Sequence, residues 1–171
     1  MVRALFPGTF DPIHYGHIDI AERASRLFDE IVVAVYDKPL KSLFFTPEER
    51  IKLVEQALAE NHKIKVTGYN SLTVDYAKKV GAQVIVRGLR VFSDFEFEFR
   101  MALANHRLSP DVEYMALITA EEHTFLSSTT VREIASLNGD VSSMVPPHVE
   151  KALREKLATL DDLQISNTLR D

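Results

Sequence analysis

Four stretches of this 171-residue chain collect side chains suited to handling a phosphate. They are the loop Gly8-Thr9-Phe10-Asp11-Pro12-Ile13-His14-Tyr15-Gly16-His17, the single residue Lys41, the run Arg87 through Glu98, and the run Ser127 through Arg132. The first follows a short apolar strand, Arg3-Ala4-Leu5-Phe6, and leads into a helical pattern beginning near Ile18. A loop in that position suits an anion, because the first N–H groups of a helix lack intrahelical acceptors and lie at the positive end of its dipole. Gly8 and Gly16 remove side chains where a ligand would approach the backbone, and Thr9 offers a hydroxyl. His14 and His17, three apart, can share one face where the helix begins. Taken singly, each histidine reads as a cap or a surface residue; within this loop the pair reads as part of a site.

The other stretches each carry two readings. Lys41 alone is an ordinary solvated loop lysine. Arg87 directly follows an apolar strand, and a buried guanidinium needs an anionic partner. Asp94 and Glu98 are either the solvated flank of a helix or part of a site. Ser127 to Thr130 suits a helix cap and could serve a phosphate as well.

The elements that must carry these residues alternate between strand and helix. Ile18, Ala21, Ala24, Leu27 and Phe28 recur at helical spacing. Ile31 to Val35 is an unbroken apolar run of the kind buried on both faces of a parallel sheet. Thr46-Pro47-Glu48-Glu49 predicts a capped helix start, with the helix running to about Glu60. Ile64 to Val66, Val84 to Val86 and Tyr114 to Ile118 read as further strands, and Leu72 to Val80 as a helix stopped by Gly81. A fourth helix would place Phe95, Phe99, Ala102 and Leu103 on one stripe, and Thr130 with Glu133 would form a capping box for a fifth. Pro146-Pro147 opens a last helix with Val149, Ala152, Leu153 and Leu157 inward. The chain thus reads as one domain over residues 1–157, followed by a loosely held polar tail over 158–171. Such alternation predicts an α/β parallel sheet with helices on both faces, and ligands beyond the carboxyl ends of strands one and four.

Composition narrows the function classes. The chain is long enough to bury about 70% of its unfolded surface in one core. With 20 Lys+Arg against 25 Asp+Glu it carries a formal charge of -5, so nucleic acid is not an expected partner, while a local basic pocket for a small anion remains open. The absence of cysteine rules out disulfides, thiolate nucleophiles and Cys-based metal sites. No apolar run is long enough for a membrane span and no signal pattern precedes the first strand, so the expected compartment is the cytoplasm.

The first loop resembles the opening signature of the nucleotidylyltransferase superfamily, G-T-F-D-P-x-H-x-G-H. Together with Arg87-Gly88-Leu89-Arg90-x-x-x-Asp94-Phe95-Glu96-x-Glu98, it closely resembles the bacterial phosphopantetheine adenylyltransferase family from about Val2 to Leu157. The resemblance implies a Rossmann-like, doubly wound five-stranded parallel sheet in the order 3-2-1-4-5. It also implies transfer of the adenylyl group of ATP to 4'-phosphopantetheine, giving dephospho-coenzyme A and pyrophosphate. Carried over by position, Thr9, Lys41, Thr73 and Arg87 would contact phosphopantetheine. ATP would meet Thr9, Phe10, His17, Gly88, Leu89, Arg90 and Glu98, together with His123, Thr124, Phe125, Leu126, Ser127, Ser128 and Thr129. His14 stands where some members carry Thr, and Ser127-Ser128-Thr129 replaces Ser-Ser-Ser.

For such a reaction the attacking group is a phosphate oxygen, already anionic, so catalysis falls to positioning and charge stabilisation by His17, Lys41 and Arg90. Magnesium (Mg2+) is expected through the ATP phosphates, since no dedicated carboxylate cage is present in the sequence. The resemblance further implies a homo-hexamer. Two alternatives stand beside it: a related enzyme using nicotinamide mononucleotide or another small phosphate as acceptor, and a nucleotide-binding subunit without turnover. A class I synthetase-like function is weaker, as no tRNA-binding region accompanies the domain.

Overall fold

A computed structural model of the chain describes residues 1–37 and 43–168, with side chains to residue 160. Five strands, β1 (Arg3–Gly8), β2 (Glu30–Tyr36), β3 (Ile64–Tyr69), β4 (Val84–Leu89) and β5 (Glu113–Ile118), form one sheet in the order β3-β2-β1-β4-β5. Every neighbouring pair is parallel. The expected strand order is therefore the observed one, and β1 and β4 lie side by side where it reverses.

Burial follows the two-residue period of a strand. Ala4, Phe6, Ile31, Val33 and Val35 face one side, where they meet Ile20 and Ala24 of α1 (Tyr15–Leu27), Leu53 and Val54 of α2 (Pro47–Leu58), and Val149 and Leu153 of α6 (Pro147–Thr168). Leu5, Val32, Ala34 and Ile85 face the other side, against Val74 and Ala77 of α3 (Thr73–Lys79). A sheet covered on both faces needs central strands that are apolar throughout, which is the composition of β2. The remaining helices are α4 (Phe92–Leu108) and α5 (Ser128–Ser136), with a 3₁₀ turn at Glu121–His123 between β5 and α5.

Several local expectations are adjusted. Helix α1 begins at Tyr15, three residues before Ile18, because the N–H groups of His17 and Ile18 both donate to the His14 carbonyl. Strand β4 continues to Leu89, so Arg87 and Gly88 lie within the strand and not after it. Helix α2 has the expected capping box between Thr46 and Glu49. Helix α5 does not have the box expected of Thr130 and Glu133: its cap is Ser127, whose Oγ accepts the Thr130 N–H at 3.0 Å. Helix α6 passes Leu157 and runs to Thr168.

The largest departure concerns α4. Its stripe of Phe95, Phe99 and Leu103 is exposed, at 48%, 53% and 58%, and Glu98 is the residue of this helix that is buried. The spacing is that of an amphipathic helix, but among the described residues nothing covers the apolar face.

Candidate active site

The loop from β1 to α1 is held from three directions. Phe10 adopts a left-handed backbone conformation (φ 49°), unusual for a bulky residue, and its ring folds back beneath Gly8. A Cβ on Gly8 would lie 2.9 Å from that ring, so any larger residue there would have to displace it. Arg50 of α2, only 1% exposed, donates Nη1 to the carbonyls of Thr9 (2.7 Å) and Tyr36 (2.8 Å) and Nε to that of Phe45 (3.3 Å). The buried carboxylate of Asp11 accepts the N–H groups of Phe44 (2.8 Å) and Phe45 (2.9 Å) and pairs with Arg132 of α5 at 3.3 Å. Ser128 donates Oγ to the Pro12 carbonyl at 2.8 Å. The start of α2, the start of α5 and the loop are thereby fixed to one another.

His14 and His17 stack with ring centroids 3.7 Å apart, and Phe10 meets His17 edge-on at 5.0 Å. Burial first, and then the neighbouring Arg90 and His123, push the His14 pKa down to about 3. His17 is likewise held well below its ordinary value, by burial first and then by His14, Arg87 and Arg90. Both rings are therefore neutral at pH 7. The backbone N–H of His14 points at Nδ1 of His17 at 3.3 Å, so Nδ1 is the acceptor and the proton resides on Nε2. His17 is thus a neutral donor.

Two arginines at the end of β4 supply the cationic charge. Arg87 donates Nε (3.0 Å) and Nη2 (2.8 Å) to Oε1 of Glu98, and Nη1 to the Pro7 carbonyl. Arg90 donates Nε (2.9 Å) and Nη2 (3.2 Å) to Asp94, and Nη1 to the Leu126 carbonyl (2.6 Å). Asp94 and Glu98 are thus partners of the two arginines as well as neighbours on α4.

Two joined clefts open beyond the carboxyl ends of β1 and β4. The first, about 370 Å³, is lined among others by Thr9, Phe10, His14, His17, Arg87, Gly88, Arg90, Glu98 and Ser127 to Thr129. The second, about 540 Å³, is lined by Thr9, Tyr36, Tyr69, Thr73, Arg87, Glu98, Tyr114 and their neighbours. Thr9, Arg87 and Glu98 border both. Gly88 lets β4 approach α1: a Cβ there would lie 3.1 Å from Ile20. The arrangement can seat two anionic ligands whose reacting ends meet beside Thr9 and Arg87.

Most of the residues singled out in the sequence are brought together here. Leu89, His123, Thr124, Phe125 and Leu126 are not among those lining the first cleft; Leu126 is fully buried, and Phe125 is 59% exposed. Lys41 lies outside the described residues. Arg50 and Tyr114 escaped the sequence reading. Arg50 had a signal, since it stands at helical spacing with the inward residues Leu53, Val54 and Leu58.

Residues 5–134 match the family described as cytidylyltransferase-like. Among curated proteins, the chain is 50% identical over 154 residues to a phosphopantetheine adenylyltransferase of Roseiflexus sp. (strain RS-1), covering 90% of this chain and 96% of the relative. It is 48% identical to that of Herpetosiphon aurantiacus (95% and 98% covered) and 50% identical to that of Methylococcus capsulatus (92% and 97% covered). Among solved structures it is similar to a Vibrio parahaemolyticus protein described as a nicotinate-nucleotide adenylyltransferase, with a TM-score of 0.70, 21% identity, and 92% and 95% of the two chains covered. That last likeness concerns the fold. Sharing about half its residues with several such enzymes along almost their whole length, the chain belongs to the phosphopantetheine adenylyltransferase family.

Proposed function

We infer that this protein transfers the adenylyl group of ATP to 4'-phosphopantetheine, giving dephospho-coenzyme A and pyrophosphate. The observation that carries the reading is the near-half identity to phosphopantetheine adenylyltransferases over almost their full length. Two joined clefts with a shared border of Thr9 and Arg87 suit a reaction between two phosphate-bearing substrates.

In this reading ATP lies in the first cleft. Its phosphates meet Arg90, His17 and the start of α5 at Ser127 to Thr129, where N–H groups and the helix dipole favour an anion. The acceptor occupies the second cleft, with its phosphate on Arg87 and Thr9 and its chain past Thr73. A phosphate oxygen of the acceptor attacks the α-phosphorus, a new P–O bond forms, and the bond from the α-phosphorus to the oxygen bridging the β-phosphate breaks with release of pyrophosphate. No side chain is acylated or phosphorylated. His17 donates its Nε2 proton as a hydrogen bond to the α-phosphate, Arg90 and Lys41 add positive charge, and the stacked pair His14–His17 keeps the donor in place.

Magnesium would arrive as the MgATP substrate complex. Among the described residues no group of three His, Asp or Glu side chains is gathered to hold an ion, and Asp94 and Glu98 are already paired with arginines. Held by the ATP phosphates, such an ion would supply charge neutralisation for the departing pyrophosphate. We further propose a cytoplasmic homo-hexamer with no nucleic-acid or membrane partner. The exposed apolar face of α4 supports the assembly, because a single copy leaves it uncovered. Among the described residues no helix is long and apolar enough to cross a membrane.

The test is pyrophosphate release from MgATP with a panel of acceptors. Release is expected with 4'-phosphopantetheine and only at background with nicotinamide mononucleotide or nicotinate mononucleotide. Turnover of one of those nucleotides without turnover of phosphopantetheine would overturn the substrate assignment.

A further inference from the structure

The ion pair on the border of the two clefts has a third member. Glu98 directs its carboxylate oxygens to different partners: Oε1 accepts both Nε and Nη2 of Arg87, at 3.0 and 2.8 Å, whereas Oε2 accepts the hydroxyl of Tyr114 from β5. Arg87 gives one Nη1 hydrogen to the Pro7 carbonyl. A guanidinium has five N–H donors. Among the described residues three are engaged, which leaves two for a ligand.

An arginine and a carboxylate left to themselves favour the two-toothed arrangement, with two parallel N–H···O bonds to two oxygens. Here the carboxylate meets Arg87 through one oxygen, while Tyr114 engages the other. We propose that Tyr114 is a positioning residue for the acceptor: by holding Oε2 of Glu98, it fixes the carboxylate against the Nε–Nη2 edge of Arg87 and so sets the orientation in which the guanidinium offers its remaining hydrogens to a phosphate monoester in the second cleft. Tyr114 and Arg87 both line that cleft. Burial, together with the hydrogen bond to Glu98, raises the Tyr114 pKa above its ordinary value of 10, so the hydroxyl remains a donor across the working pH range. The inference rests on the reading that Arg87 holds the acceptor phosphate.

A hydroxyl that only satisfied a buried carboxylate would affect stability without distinguishing one ligand from another. Tyr114→Phe keeps the ring and removes the donor, so binding of 4'-phosphopantetheine and of ATP, each measured by calorimetry, separates the two cases. The loss of one hydrogen bond's influence predicts a rise of about 3- to 10-fold in the acceptor Kd and KM. The ATP Kd should stay within about twofold. In a Glu98→Gln background, where the charged group through which Tyr114 acts on Arg87 is gone, Tyr114→Phe should have no further effect on acceptor binding.

Arg87→Ala serves as the parallel control. If Arg87→Ala abolishes acceptor binding while Tyr114→Phe leaves it unchanged or weakens ATP equally, the role given to Tyr114 is wrong and the acceptor site stands. If Arg87→Ala leaves acceptor binding intact, the assignment of the second cleft fails and the role of Tyr114 falls with it.

Discussion

His17 meets the first cleft as a neutral imidazole with its proton on Nε2, so it can donate a hydrogen bond but contributes no full charge. Charge on the α-phosphate oxygens shifts as the acceptor arrives and pyrophosphate leaves, and a fixed donor there binds the transition state better than ATP. His17→Ala should lower kcat on the order of 10² to 10³, or about 3 to 4 kcal/mol. The ATP Kd should change by less than about tenfold. A folded variant with near-normal kcat would contradict the catalytic role, and His17→Asn, which keeps a donor, should recover part of the loss. His14 gives a separate, pH-dependent expectation. Its pKa falls from 6.5 to about 3 on folding, so the unfolded chain takes up a proton that the native state refuses. Stability is therefore complete above pH 6.5 and declines as the pH falls through the window below it, by up to about 1.4 kcal/mol per pH unit. Urea midpoints between pH 7 and pH 5 should fall more steeply in the wild type than in His14→Gln; equal slopes would mean that His14 titrates normally.

Helix α4 is the element whose apolar pattern points away from its own fold. Phe92, Phe95 and Phe99 form a row with centroids 6.2 and 5.8 Å apart on a face open to solvent. Covering that row by another copy is the simplest use for it. Phe95→Glu should then convert the assembly to a smaller species in sedimentation velocity without unfolding the monomer; a wild-type protein that sediments as a monomer at micromolar concentration would contradict the proposed hexamer. The same helix marks where sequence reading stops. The loop from Gly8 to His17 was legible because its glycines, threonine and histidines act locally, at a strand end and a helix start. Strand order followed from alternation and the resemblance. Helical spacing in α4 identified an amphipathic helix but could not say whether its partner lay inside or outside the chain. Arg50 and Tyr114 act at long range, on the carbonyls of three separate segments and on a carboxylate of α4, and no short motif announces such contacts. The α5 cap fell on Ser127 and not Thr130 because both residues offer a hydroxyl within one turn, and the choice depends on where the chain leaves the loop.

Across the whole molecule, the doubly wound sheet determines where chemistry can occur. Reversal of strand order between β1 and β4 leaves a crevice at their carboxyl ends. Into it the fold brings the first loop, the arginines at the end of β4, the carboxylates of α4 and the start of α5. A chain with a net charge of -5 thereby offers phosphates two arginines, each oriented by a carboxylate of α4, beside the donor groups of the first loop and of α5. The most direct test of adenylyl transfer across this crevice is to follow oxygen. With MgATP and 4'-phosphopantetheine carrying ¹⁸O in every nonbridging phosphate oxygen, mass spectrometry should find all the label in dephospho-coenzyme A and none in pyrophosphate, because the acceptor oxygen attacks the α-phosphorus. Release of AMP with transfer of pyrophosphate to the acceptor, or the absence of dephospho-coenzyme A altogether, would contradict the assignment.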